Sequence, residues 1–64
     1  MSTTMISVVS SVIRAVGYDG STLYVEFCNG RTYNLSRVPE YHFHGLINAS
    51  SPGWYWNAYL KGKY

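Results

Sequence analysis

Residues 23–35, Leu23-Tyr24-Val25-Glu26-Phe27-Cys28-Asn29-Gly30-Arg31-Thr32-Tyr33-Asn34-Leu35, decide the fold. Leu23, Val25 and Phe27 alternate with Tyr24, Glu26 and Cys28, the period of two that marks a half-buried strand. Asn29-Gly30 is a turn signal, and residues 31–35 return as a second strand. Two registers compete. A two-residue turn sets Val25 opposite Asn34 and Phe27 opposite Thr32. A three-residue loop, Cys28-Asn29-Gly30, sets Val25 opposite Tyr33 and Leu23 opposite Leu35. The second register gathers apolar side chains on one face, which is what specifies register in a sheet with one buried side. It also puts Gly30 at the left-handed bulge position, where a Cβ is penalised. The residues therefore predict the three-residue loop.

Working outward, residues 12–18 are rich in β-branched side chains and end in Tyr18-Asp19-Gly20-Ser21, a turn. They read as the first strand of a meander. The Ser/Thr-rich start is expected to be loose over residues 1–7, with Val8-Val9 as a short edge segment. Downstream, Pro39 suits a first helical position and Glu40 suits the positive end of a helix dipole. Phe43, Leu46 and Ile47 share one helical face, and Gly45 is expected to admit close approach to the sheet. The helix ends within residues 49–51. Ser51 then reads as an N-cap with Pro52 at N1. Trp56, Leu60 and Tyr64 make a stripe on this second helix, with Tyr55 and Tyr59 beside it. The sum is one α+β domain over residues 1–64. It is a small three-stranded antiparallel meander with two short C-terminal helices packed on one face.

The chain has 64 residues, so it can bury only ~60% of its unfolded surface. Cys28 is the sole cysteine, which excludes a disulfide within the chain. Aromatics make up 17% of residues and charged groups only 12%, against a usual charged share of ~25%. A sparsely charged surface tends to associate, and a homo-oligomer is expected. Net charge is +2, from Arg14, Arg31, Arg37, Lys61 and Lys63 against Asp19, Glu26 and Glu40. That balance permits an anionic partner without demanding one. The first residues carry no charged leader or cleavage motif, and the apolar runs are too short to span a membrane. A cytoplasmic location with no membrane partner is expected.

No enzyme is read from these residues. The three acidic side chains do not make a spaced carboxylate pair, and no glycine-rich loop leads into a helix. His42 and His44 stand two apart, not at the i, i+4 spacing of a helical zinc pair. They read as surface or partly packed histidines, and Cys28 as a small structural side chain. No metal, cofactor or small-molecule substrate is expected. Residues 50–64 hold both tryptophans and three of the seven tyrosines, beside Lys61 and Lys63. Aromatic rings can close a small core or stack on nucleobases. Tyr33 and Tyr55 read as core, with hydroxyls reaching a polar partner. Ser51 reads as a cap and Asn57 as a structural hydrogen-bonder. Trp54 lies off the apolar stripe and is the better candidate for an exposed contact. Arg31, Arg37, Trp54, Lys61 and Lys63 are the candidate nucleic-acid-binding residues.

Ser10-Ser11, Ile13, Val16-Gly17-Tyr18-Asp19, Leu23, Val25, Phe27, Gly30, Tyr33, Val38-Pro39, Leu46, Ala49, Ser51, Gly53, Tyr55, Asn57, Leu60 and Tyr64 form an ordered set. In that order the chain resembles the KTSC domain, a module named from the C-terminus of some lysyl-tRNA synthetases and found also as small bacterial and phage proteins. The resemblance implies no established activity; RNA binding follows only from the attachment to a tRNA enzyme. Two departures weaken that implication. The family's Tyr-x-Tyr stands here as Tyr33-Asn34-Leu35, and basic residues near Gly53 are replaced by Pro52 and Trp54. The expected function is a small non-catalytic module binding RNA or other nucleic acid through basic and aromatic residues. The alternative is a self-assembling or protein-interacting bacterial or phage accessory protein, with Trp54 or Trp56 buried between subunits.

Overall fold

The computed structural model describes residues 4–64. Four strands, β1 (Met5–Ser7), β2 (Ile13–Tyr18), β3 (Leu23–Phe27) and β4 (Thr32–Leu35), form one antiparallel sheet in the order β1-β2-β3-β4. Two helical segments follow. Helix α1 spans Glu40–Asn48, and α2 spans Pro52–Tyr55 and runs on as a π-helical turn, Trp56–Leu60.

The expected sheet of three strands is thus corrected to four. Met5–Ser7, in the stretch expected to be loose, pairs with β2 through Met5↔Gly17, Ile6↔Val16 and Ser7↔Ala15. Val8 and Val9 lie just past it. Three residues without alternation give no strand signal of their own, and the exposed edge of β2 supplies the partner that organises them. Residues 1–3 of the segment expected to be loose lie outside the described residues.

The β3–β4 hairpin has the register the sequence predicts. Leu23 faces Leu35, Val25 faces Tyr33, and the loop is Cys28-Asn29-Gly30. Gly30 has φ +92 and its N–H donates to the Phe27 carbonyl at 3.0 Å. Asn29 Oδ1 accepts the Arg31 N–H at 3.0 Å and holds the turn from within. β2 departs from simple alternation. Its pairing with β3 shifts between Ile13 and Ala15, so Arg14 is the extra residue of a bulge. Strict period two from Val16 and Tyr18 would point Arg14 inward. The bulge reverses the phase, turning Arg14 out and Ile13 fully into the core.

One sheet face and the two helical segments enclose Ile13, Val16, Leu23, Val25, Val38, Leu46, Trp56 and Leu60. Leu46 is fully buried on α1, with Phe43 and Ile47 partly buried beside it. Pro39 takes the N-cap, with φ −62 and ψ 147, one residue earlier than its expected place inside the helix. Reaching it requires a sharp reversal, and Arg37 adopts φ 59, a left-handed conformation unusual for a side chain other than glycine. The reversal sends Val38 inward, where its N–H meets the Ser21 carbonyl at 2.8 Å and its carbonyl accepts the Tyr18 hydroxyl. Burial, and then the charges of Glu40 and Asp19, push the Tyr18 pKa up and keep that hydroxyl protonated as a donor.

Ser51 caps α2, its Oγ accepting the Trp54 N–H at 3.4 Å, with Pro52 at the first position. Beyond Tyr55 the helix widens. The Lys61 N–H bonds the Trp56 carbonyl at 2.8 Å, a five-residue step. Asn57 Nδ2 donates to the Gly53 carbonyl at 3.0 Å, the acceptor its backbone N–H would use in an uninterrupted α-helix. Trp56 and Leu60 are buried as the stripe requires, but Tyr64 is not, because Gly62 at φ +75 turns the chain away first.

Gly45 admits a neighbour other than the expected one. A Cβ there would collide with the Tyr55 ring and hydroxyl, so the glycine lets α2 approach α1. Gly45→Ala should cost about 1–3 kcal/mol as Tyr55 is forced away, measured by chemical denaturation. At Arg37, a β-branched side chain adds to the left-handed penalty, so Arg37→Val should cost about 1 kcal/mol while Arg37→Gly should not destabilise. Equal stability of those two variants would refute the strain at that turn.

Candidate functional site

The sheet and the C-terminal helix meet along a cleft of about 470 Å³. That volume falls in the roughly 300–1,000 Å³ range of small-ligand clefts. The hairpin contributes Phe27, Arg31, Tyr33 and Leu35, and the helical side contributes Trp56, Asn57, Leu60 and Lys61. Alternation along the returning strand puts Arg31, Tyr33 and Leu35 on one face. The π turn places Lys61 opposite them, one residue beyond the buried Leu60.

Three rings line the cleft. Tyr33 stacks on Trp56 with centroids 5.7 Å apart and planes 14° from parallel. Phe27 meets both edge-on, at 5.2 Å from each, with interplanar angles of 82° to Tyr33 and 78° to Trp56. Trp56 is nearly closed off by this packing, while Tyr33 remains 43% exposed. Tyr33 therefore departs from its expected place in the core. It sits in β4 at the sheet edge, so one ring face packs on Trp56 and no further strand covers it. Arg31 and Lys61 make no salt bridge, and no acidic side chain lines the cleft, among the described residues. The charged side chains on its walls are therefore both cationic. The arrangement offers a ring face for stacking, two cations for an anion, and the amides of Asn29 and Asn57 for hydrogen bonds.

The five candidate residues divide. Arg31 and Lys61 come together across the cleft from opposite halves of the chain. Arg37, Trp54 and Lys63 do not line it. Trp54 is 62% exposed, as its place off the stripe implies, with its ring edge-on to Tyr59 at 5.8 Å and 84°. It belongs to a second aromatic surface with the exposed Tyr41, Tyr59 and Tyr64.

At the centre of that surface is His42, whose expected place is at the surface or partly packed. It is 7% exposed, and its Nδ1 shares a 3.0 Å hydrogen bond with the Tyr55 hydroxyl. The rings of Tyr41 and Tyr64 lie 4.3 Å and 5.7 Å from its own. Burial pushes the His42 pKa below its ordinary 6.5. Burial also raises the Tyr55 pKa, with Tyr59, Tyr41 and Tyr64 adding to the rise. Both partners are thus held neutral. Tyr55 has the buried polar partner expected of it; His42 gave no signal because the partner comes from another helix. His44, two residues on, is exposed and pairs with Glu40 at 3.1 Å. Cys28 is exposed at the hairpin loop. Among the described residues no cluster of three or more His, Cys, Asp or Glu is placed to hold a metal ion. No helix there is long and apolar enough to cross a membrane.

The fold and cleft define a small α+β domain with one basic, aromatic concavity. A family model for the KTSC domain matches residues 9–64, and the chain belongs to the KTSC domain family. The crystal structure of a KTSC domain protein from Yersinia pestis is similar, with a TM-score of 0.90 and 31% sequence identity. The match covers 97% of this chain and 90% of that one. No curated protein matches the chain.

His42 makes stability depend on pH. The unfolded chain takes up the proton near the ordinary value of 6.5, and the folded state resists it. The contribution is therefore complete above about pH 6.5 and lost as pH falls below it. The melting temperature should drop between about pH 7 and pH 5, and His42→Gln should flatten that drop. Asp19, whose carboxyl is held below its ordinary 3.8 first by the Thr22 and then by the Ser21 N–H, acts only in a lower window. Its contribution is present above about pH 3.8 and lost as pH falls further.

Proposed function

We propose that this KTSC domain is a non-catalytic cytoplasmic module that binds single-stranded RNA or other nucleic acid in the cleft between β4 and the C-terminal helix. The observation that carries the reading is the meeting of Arg31 and Lys61 across a cleft floored by the Tyr33–Trp56 stack, with no acidic side chain on its walls. The exposed face of Tyr33 takes a base, a contact worth about 1–3 kcal/mol. Arg31 and Lys61 take the phosphates on either side of it. With two cations in the cleft, affinity is modest and depends on salt.

A Trp54→Phe protein leaves Trp56 as the only tryptophan, at the back of the cleft. Its fluorescence should fall on adding single-stranded RNA, and the apparent affinity should weaken as salt rises. Arg31→Glu and Lys61→Glu should each weaken binding about tenfold or more, and Tyr33→Ala by a similar amount. Arg37→Glu and Lys63→Glu, outside the cleft, should have smaller effects. Unchanged fluorescence in low salt across RNAs of varied sequence removes the reading.

A second reading is favoured by a separate observation. Tyr41, Trp54, Tyr59 and Tyr64, none of them charged, are between 46% and 65% exposed on one aromatic surface. Tyrosine and tryptophan are the residue types that dominate protein interfaces. On this reading the domain is a bacterial or phage accessory protein that docks another protein there, without nucleic acid. Salt-insensitive capture of a protein partner, lost in Trp54→Ala and retained in Lys61→Glu, distinguishes it from the first.

A further inference from the structure

β4 is an edge strand, and its ladder to β3 determines which backbone groups remain unused. The Phe27 N–H donates to the Arg31 carbonyl at 2.7 Å, so Phe27 and Arg31 form a hydrogen-bonded pair. Antiparallel ladders alternate, so Val25–Tyr33 and Leu23–Leu35 are hydrogen-bonded pairs as well. The N–H and C=O of Thr32 and of Asn34 consequently point away from β3. Thr32, Tyr33 and Asn34 are exposed. Apart from its shortness, nothing in β4 guards this edge. Its four residues, TYNL, hold no charge and no proline, and their ladder to β3 is unbroken, the bulge at Gly30 lying in the loop. Natural sheets commonly blunt an open edge with one of these devices.

We infer that β4 pairs with β4 of a second copy of this chain, antiparallel, about a two-fold axis through Tyr33. Thr32 then lies opposite the partner's Asn34, and Asn34 opposite the partner's Thr32. Each pair exchanges two N–H···O=C bonds, using all four free groups on each edge. The two sheets become one of eight strands. Tyr33 faces the partner's Tyr33 as a non-hydrogen-bonded pair, where Cβ atoms lie about 4.5–5.5 Å apart and aromatic pairs are favourable. A second copy is the occupant because this hydrogen-bonding pattern is its own complement under two-fold symmetry. The two clefts meet at the axis, and Arg31 and Lys61 of both copies line one longer positive groove. The pairing holds whether or not nucleic acid is the ligand, since it uses backbone groups.

Sedimentation across a range of concentrations tests it. The mass should rise from 7.3 kDa toward twice that value, and added salt should favour the dimer by screening the four cations that the pairing gathers in one groove. Asn34→Pro removes only an outward N–H and leaves the ladder to β3 complete, so it should stay at 7.3 kDa with an unchanged circular dichroism spectrum. A second variant does not rely on that protein folding. Tyr33→Cys combined with Cys28→Ser should form a disulfide-linked dimer on mild oxidation, because position 33 meets itself at the axis. A wild-type mass of 7.3 kDa at every concentration overturns the inference. So does failure of the Tyr33→Cys, Cys28→Ser double variant to cross-link, or a dimer that survives Asn34→Pro and is split by Trp54→Ala. RNA titration of the Asn34→Pro monomer reads the cleft separately, so loss of pairing and loss of nucleic-acid binding are distinguishable.

Discussion

The stack of Tyr33 on Trp56 joins the two halves of the chain. The sheet is built from residues 5–35, and the last helical segment arrives from the far end of the sequence. Trp56 closes the gap by covering Phe27 and Tyr33 at once, with all three centroids between 5.2 Å and 5.7 Å apart. Remove that ring and the helix keeps Leu60 in the core and Tyr55 against α1, but loses its contact with β3 and β4. A domain this small has little apolar area to spare, and aromatic rings supply the most per residue. The contact also shapes the cleft, because Trp56 is its back wall. Core and candidate site thus share side chains, which limits how far the site can change without loosening the fold.

The two aromatic surfaces differ for a physical reason. In the cleft, rings stand beside cations with no counter-charge, and a buried Trp56 supports the exposed Tyr33. On the other surface the rings surround a neutral histidine. A buried histidine resists protonation, so the Tyr41, Tyr55, Tyr59 and Tyr64 rings sit around a polar group that adds no charge at neutral pH. One surface sets cations beside an exposed ring face, and the other sets uncharged rings around a neutral histidine. The left-handed Arg37 belongs to neither. Its side chain is exposed, and its backbone geometry serves to bury Val38 and start α1.

Much of the meander was legible in residues 23–35. Alternation and Gly30 chose the loop length, and the register followed. Ser51-Pro52 and Pro39-Glu40 placed the helix starts within a residue of where they fall. Strand β1 was not legible, because three residues with no pattern depend on a neighbour's open edge. The bulge at Arg14 escaped for a related reason: period two cannot show the position where it breaks. In the candidate site, Arg31 and Lys61 could be named as cations, and Trp54 as exposed. That Arg31 and Lys61 converge, while Arg37 and Lys63 stand apart, could not be read from their order.

By itself, then, the sequence determined the three strands of the meander, the helix starts, the hairpin register and the family, since these rest on local periodicity, turn stereochemistry and an ordered residue pattern. Only the tertiary structure decided which side chains share a surface. The burial of His42 against Tyr55, the half-exposed Tyr33 and the cleft between Arg31 and Lys61 each depend on how a helix lies on a sheet. That packing is set by contacts between residues far apart in the chain, and no short window of sequence contains them.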